Sequence, residues 1–316
     1  MRTLFYALLT SFSFANAVQS APETVGIATS NAGSLHYNMA TAIARAANDA
    51  GLKTTVQPAT SANQYLPHIN AGGIEFGISN LQEMNYALTG AEWWNGLASP
   101  NLRVVALLMP LREAIFVRAD SDIRSVADLR GRKVPAGYVA QNSINAQLAA
   151  FYAAAGLDEG DIRPVNVPSV VAGADAFISG DAEAFIFALG AGKVSEAAAA
   201  VGGLRALGVA KPDEETLKAA RGAWPTLTFV EVAAGSAIGV DDDGVFFALP
   251  QALVTHAGVP DETVAAMARV LHEGHEVLTS TFPGFALFNP MAMKGDVGTA
   301  EYHPGALQFY QEIGLE

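Results

Sequence analysis

The stretch Thr24–Gln57, TVGIATSNAGSLHYNMATAIARAANDAGLKTTVQ, carries the reading of the fold. Thr24–Thr29 is a short apolar run of strand type. Ser30–Ser34 is small, polar and glycine-bearing, the chemistry of a turn. Leu35–Ala50 switches to helical spacing, with Met39, Ile43, Ala47 and Ala50 on one face. Gly51 ends that helix, because glycine enters the left-handed conformation without a Cβ penalty. Lys53–Gln57 returns to strand alternation. Strand, helix and strand in this order point to an α/β layer with parallel strands.

Downstream the order repeats. Ala62–Asn70 reads as a helix, Phe76–Ser79 as a buried strand, Met84–Leu88 as the start of a helix and Val104–Met109 as a strand. A second unit opens with Glu113–Ala119, and Ser121–Leu129 reads as a turn and short helix. Arg132–Ala136, Ile162–Val167, Ala184–Ala188 and Leu204–Val209 read as its strands, with helices at Asn142–Ala155, Ala172–Ile178 and Val194–Val201. Val245–Thr255 is strand-like but holds Pro250, which cannot donate to a ladder and so marks an edge, a bulge or a crossing point. Asp261–Leu278 predicts one long helix and Tyr302–Gly314 a last one.

At the N-terminus, Arg2 precedes an apolar run from Leu4 to Phe14, and Ala15-Asn16-Ala17 fits an A-x-A cleavage site. That is the anatomy of a secretory signal peptide over residues 1–17. The run is too short for a stable bilayer anchor, which needs about 20 residues. The chain is 51% hydrophobic and 16% charged, so it can bury a core and is not disordered. Absence of cysteine excludes thiol nucleophiles and thiolate metal sites. A net charge of −13 with no basic stripe excludes nucleic acid as a partner.

Enzyme signatures fail in turn. Gly235-Ser236-Ala237-Ile238-Gly239 has the wrong spacing for a nucleophile elbow. Gly190-Ala191-Gly192-Lys193 imitates the end of a phosphate loop, but Phe187 stands at its first glycine position and Val194 replaces Ser or Thr. His272 and His275 lie three apart with Glu276 beside them but lack an H-E-x-x-H pattern and an obvious third ligand, and Asp241-Asp242-Asp243-Gly244 lacks the spacing of a calcium loop. No metal and no cofactor are expected. What recurs instead is a small polar loop after a strand: Ser30–Tyr37, Thr60–Asn63, Ser79-Asn80 and Gly137–Ser143. Each alone reads as a cap and turn, whereas four of them at strand ends predict a ligand cleft.

The chain resembles the TAXI-type solute-binding subunits of tripartite ATP-independent periplasmic (TRAP) transporters. Arg118–Val134 is similar to a domain-entry segment shared among periplasmic binding proteins. Gly33–Tyr37 lies where the TAXI type has a G-G-x-Y-Y loop. Phe185-Ile186-Phe187 with Gly190-Ala191-Gly192 resembles its apolar strand and small-residue loop. The most specific match is His303-Pro304-Gly305-Ala306 with Tyr310, similar to its C-terminal signature. The chain departs from the type in three ligand loops, at Ser34-Leu35-His36, Ser79-Asn80-Leu81 and Tyr138–Ser143, so ligand identity does not carry over.

The resemblance implies an α/β, type II periplasmic binding protein, with two α/β domains, a hinge and an interdomain ligand cleft. Domain I is expected at residues 18–111 plus 257–316 and domain II at 112–256, with crossings near Pro110–Glu113 and Thr255–Pro260. The implied function is capture of a small organic acid, a dicarboxylate or glutamate-like solute, in the periplasm. The implied partner is an ion-coupled TRAP membrane permease, and a monomer is expected. The candidate ligand-binding residues are Ser30, Asn31, Ser34, Tyr37, Ser61, Asn63 and Asn80 in domain I. In domain II they are Tyr138, Gln141 and Ser143, with Arg112 at the hinge and Lys193 at a strand-end loop as cationic candidates. No catalytic residue is expected. The alternatives are an exported hydrolase, for which His36 is the one histidine in a cleft loop, and a ligand sensor for a membrane kinase.

Overall fold

The computed structural model describes residues 24–315, so the expected signal peptide lies outside the described residues. In chain order the elements are β1 (Val25–Thr29), α1 (Leu35–Asp49), β2 (Thr54–Pro58), α2 (Ala62–Asn70), β3 (Phe76–Asn80), α3 (Leu81–Thr89), β4 (Leu102–Leu107) and β5 (Leu111–Arg118). Then come β6 (Lys133–Gly137), α4 (Ser143–Ala154), β7 (Arg163–Val167), α5 (Val170–Ile178), β8 (Ala184–Ala188), α6 (Gly192–Val201), β9 (Leu204–Leu207), α7 (Glu214–Arg221) and β10 (Thr228–Val232). The chain ends with β11 (Gly244–Leu249), β12 (Gln251–His256), α8 (Asp261–Glu273), α9 (His275–Thr281) and α10 (Pro304–Glu312).

Two five-stranded sheets organise the molecule. The first runs β2-β1-β3-β12-β4. The second has β5 at its centre, with β8 on one edge and β11 then β9 along the other, and β10 outside β11. The parallel pair β6-β7 sits beside β8, where Glu183 N–H donates to Lys133 O over 2.8 Å. The opening stretch folds as read: β1 pairs parallel with β2 and β3, and α1 buries Met39, Ile43 and Ala47. Ala50 caps that helix and is exposed.

The expectation of parallel strands holds for β1, β2 and β3 and for the pair β6-β7, and is corrected for the other strands. β12 runs antiparallel to both β3 and β4, and β5 runs antiparallel to β8, β9 and β11. The chain leaves the first sheet at the end of β4 through Leu108–Pro110 and returns at Pro250 at that same end, with Ala252 opposite Leu107 and Gln251 opposite Asn80, so β12 runs back against both neighbours. Direction is set by that return path, and strand composition carries no trace of it. Pro250 is therefore the crossing point, and Val245–Thr255 is two strands in two sheets. Thr255–Pro260 closes β12 and leads into α8.

Two further differences have local causes. The helix expected over Asp261–Leu278 breaks at Gly274, where a Cβ would fall 2.5 Å from the Val270 carbonyl oxygen and 3.3 Å from the Ala46 methyl, and α9 then packs on α1. Helix α7 carries mainly polar, exposed residues and gives little hydrophobic signal, and β10 is a short strand of which only Val232 is buried.

The C-terminal signature is a packing device remote from the loops. His303 caps α10 by accepting from Gly305 N–H over 3.2 Å, and Pro304 takes the first helical position. A Cβ at Gly305 would fall on the Asp261 carbonyl, so only glycine lets α10 sit against α8. Tyr310 Oη donates to Val105 O over 2.5 Å and ties α10 to β4.

Candidate functional site

A cavity of about 60 Å³ lies between the two sheets, at the carboxyl ends of β1, β3 and β8. The first sheet's side supplies Ser30, Ser34, Leu35 and His36 from the β1–α1 loop and helix start, Ala62 from α2, and Asn80 and Glu83 from α3 and its cap. The second side supplies Leu111 and Glu113 from β5, Gln141, Ser143, Ile144 and Gln147 around α4, Val170 from α5, and Phe187 and Ala188 from β8. Ligands of open α/β sheets sit outside strand ends for a physical reason: helix N-termini present unpaired N–H groups there.

Five of the twelve candidate residues line this cavity: Ser30, Ser34, Asn80, Gln141 and Ser143. Two of them spend their side chains on capping. Ser34 Oγ accepts from Tyr37 N–H at 3.1 Å, and Asn80 Oδ1 from Gln82 N–H at 3.2 Å. Gln141 Oε1 accepts from Val170 N–H at 3.1 Å, leaving its amide hydrogens.

Ser30 and His36 belong to a directed chain. Gln251 Nε2 donates to Leu249 O at 2.8 Å, which orients the amide so that Gln251 Oε1 accepts from His36 Nε2 at 2.6 Å. His36 Nδ1 then faces the Ser30 hydroxyl at 3.4 Å as an acceptor. Burial lowers the His36 pKa, partly offset by the Gln251 hydrogen bond, so the ring is neutral.

Seven candidates lie elsewhere. Asn31 sits in the turn, its carbonyl accepting from Ser34 N–H, and half-buried Tyr37 lies outside the lining on α1. Ser61 is buried beside Ala62, its hydroxyl without a partner among the described residues. Asn63 stands behind the lining, where its amide, suitably turned, donates to Glu83 Oε1 at 3.1 Å and accepts from Trp93 Nε1 at 3.0 Å. Arg112 points away because side chains alternate along β5, and the faces of Leu111 and Glu113 meet the cavity. Tyr138 is fully buried in the core of the second unit, its hydroxyl close to Gly173 and without a hydrogen-bond partner among the described residues. Lys193 is held by Asp175 at 2.6 Å and Glu196 at 2.7 Å.

Its backbone has a different role. Lys193 N–H donates to Gly33 O at 3.3 Å, joining α6 to the β1–α1 loop next to the lining residue Ser34. On another side of the interface Trp93 stacks on Trp224, with centroids 6.5 Å apart and planes at 16°. Both sheets are thus drawn together around the lining.

Two functional candidates escaped the sequence reading. Glu83 and Glu113 line the cavity while only 4% and 3% exposed. Burial raises the carboxyl pKa of each to about 8; for Glu83 a hydrogen bond from Ser143 works in the other direction. Glu83 lies three residues after the capping Asn80, a spacing that reads as a capping box. Glu113 had a visible signal: it is the one acid on the otherwise apolar face Leu111, Ile115, Val117. Among the described residues no cluster of three or more metal-ligating side chains of His, Asp or Glu occurs, including at His272 and His275.

The model of the NMT1-like family matches residues 27–314. The chain belongs to the NMT1-like family. Among solved structures, this family member is similar to MatC from Rhodopseudomonas palustris with bound malate, at 14% identity and a TM-score of 0.55. That match covers 83% of this chain and 88% of MatC. A protein from Bordetella bronchiseptica RB50 gives 14% identity and 0.53, covering 93% and 98%. The putative sulfonate ABC transporter periplasmic sulfonate-binding protein SsuA from Methylobacillus flagellatus KT gives 15% and 0.50, covering 93% and 95%. At these identities the likeness is one of fold, the two-domain α/β architecture of type II periplasmic binding proteins.

Proposed function

We propose that this family member is an extracytoplasmic solute-binding protein that closes two lobes on a small solute and delivers it to a membrane permease. The observation that carries the reading is the cavity between the sheets, walled from both sides, with the two sides joined by the hydrogen bond from Lys193 N–H to Gly33 O next to the lining residue Ser34. The lobes are taken to divide where the chain changes sheets, at Leu108–Pro110 and at Pro250. Closure is driven by whatever contacts the solute makes better in the closed form than in the open one.

The finer reading rests on the resemblance to the TAXI type: a TRAP permease coupled to an ion gradient, and a small organic acid, dicarboxylate or glutamate-like, as cargo. The Gln141 amide hydrogens and the N–H groups at the start of α4 supply donors for its oxygens. The malate-bound MatC is a precedent for this fold holding a dicarboxylate. Export through the N-terminal segment and a periplasmic location complete the proposal. No helix among the described residues is long and apolar enough to cross a membrane.

The hydrolase alternative has one observation behind it, the chain Ser30–His36–Gln251. It is the weaker reading because Gln251 is neutral and cannot stabilise an imidazolium as a carboxylate does. A thermal-shift screen of organic acids, amino acids, amines and sulfonates against the full chain, with mass spectrometry of each compound afterwards, tests the binder. Saturating ligand at about 100 times its dissociation constant stabilises by about 2.7 kcal/mol. Recovery of a stabilising compound unchanged supports binding, and its conversion to product supports the hydrolase.

A further inference from the structure

We propose that the solute carries a protonated amine and that Glu83 and Glu113 receive it. The inference rests on the solute-binding reading above and names the chemical class that this cavity selects.

Three observations carry it. Both carboxyls line the cavity from opposite sides, Glu83 from α3 and Glu113 from β5, so a group between the sheets meets both. Among the described residues no side chain donates a hydrogen bond or ion pair to Glu113, although it is 97% buried by virtue of its 3% exposure. Finally, among the described residues no lysine or arginine lines the cavity. The two cationic candidates are out of reach, Arg112 on the far face of β5 and Lys193 committed to Asp175 and Glu196.

A buried carboxylate without a counter-charge is costly, and a protein meets that cost by holding the group neutral. Both groups have pKa values raised to about 8, which fits a site whose counter-charge arrives with the ligand. An ammonium group entering between them forms charge-assisted hydrogen bonds in a poorly solvated space, where such bonds are strongest. A dicarboxylate without an amine instead needs both carboxyls to stay protonated. The two ligand classes therefore differ in the sign of their proton linkage.

The groups facing this pair are few. His36 from α1 lines the same cavity and is neutral. Tyr65 from α2 is close enough to Glu83 for their charges to couple, and Tyr138 is likewise coupled to Glu113; burial keeps both phenols protonated. Ser143 and Asn63 touch Glu83 but do not titrate. Proton release on binding near neutral pH therefore reports Glu83 and Glu113.

The test is isothermal calorimetry on the full chain with putrescine, a panel of amino acids, succinate and malate, in buffers of different ionisation heat. The amino-acid and putrescine arms separate zwitterionic from purely cationic solutes, and a hit in either supports the proposal. Such a hit is expected to release roughly one to two protons at pH 7 and to tighten as pH rises towards 8. Glu83→Gln and Glu113→Gln are neutral, near-isosteric replacements for carboxyls already protonated in the free protein, and each is expected to weaken the hit roughly tenfold or more. Proton release by the unaltered protein is a second readout that needs no variant. Succinate or malate binding while every amine fails overturns the proposal and leaves the binder standing. Amine binding without proton release, and unchanged in both variants, also overturns it. Binding of no probe overturns the proposal and removes support from the binder reading, which the wider screen above then judges on its own.

Discussion

His36 donates from Nε2 to the side-chain oxygen of Gln251 across 2.6 Å, and Gln251 in turn donates to Leu249 O on the other side of Pro250. A cavity-lining residue is thereby tied to the point where the chain changes sheets. Gln251 is fully buried, so its loss strands two polar groups, the His36 Nε2–H and the Leu249 carbonyl. Gln251→Leu is expected to destabilise the protein by about 1–3 kcal/mol in urea unfolding. A change below about 0.5 kcal/mol, the usual size for a surface site, sinks the account of this link.

The buried acids make stability depend on pH. Their folded pKa values of about 8 lie above the 4.5 of an ordinary exposed glutamate. Between those limits the folded state binds more protons than the unfolded state, so stability falls as pH rises. The contribution is fully present below the unfolded pKa and lost as pH passes through about 8. The slope is at most about 1.4 kcal/mol per pH unit per group. Urea midpoints measured from pH 5 to 8.5 should decline, and Glu113→Gln should flatten the decline. Midpoints that rise over that range contradict the assigned protonation.

Tyr138 is fully buried, and its hydroxyl has no partner among the described residues. Removing a buried, unpaired hydroxyl should be neutral or stabilising. Tyr138→Phe is expected to unfold at the same urea concentration or higher and to bind solute with unchanged affinity. A tenfold loss of affinity in calorimetry returns Tyr138 to the ligand site.

Gly305→Ala should be severe. Its Cβ would fall on the backbone carbonyl of Asp261, which cannot swing aside as a flexible side chain would. Overpacking of this kind costs about 1–3 kcal/mol. Circular dichroism melts should show a clear loss, while Gly192→Ala, with open space around it, should melt close to the parent. Equal melts for the two variants refute the packing argument.

Local order was legible because it depends on short-range chemistry. Spacing in Leu35–Ala50, the stop at Gly51 and the small polar loops after β1, β2, β3 and β6 all lie in contiguous residues, and the elements formed there. The same loops led to Ser30, Ser34, Asn80, Gln141 and Ser143, which the fold gathers around one cavity. Their neighbours Asn31, Tyr37 and Ser61 share the same loop chemistry but sit outside the lining, since composition does not say which way a turn residue points.

What the sequence by itself determined is the succession of strands and helices, the crossing at Pro250 as one of three readings, and the polarity of the loops. Strand direction, the splitting of Val245–Thr255 between two sheets and the burial of Glu83 and Glu113 were decided only by tertiary structure. The physical reason is range. Propensity and capping act within a few residues, whereas the charge state of a carboxyl depends on what surrounds it from every side. Glu113 is a polar strand residue in sequence, and becomes an acid held neutral only when β5 is walled in by α4, β8 and the loops of the other sheet.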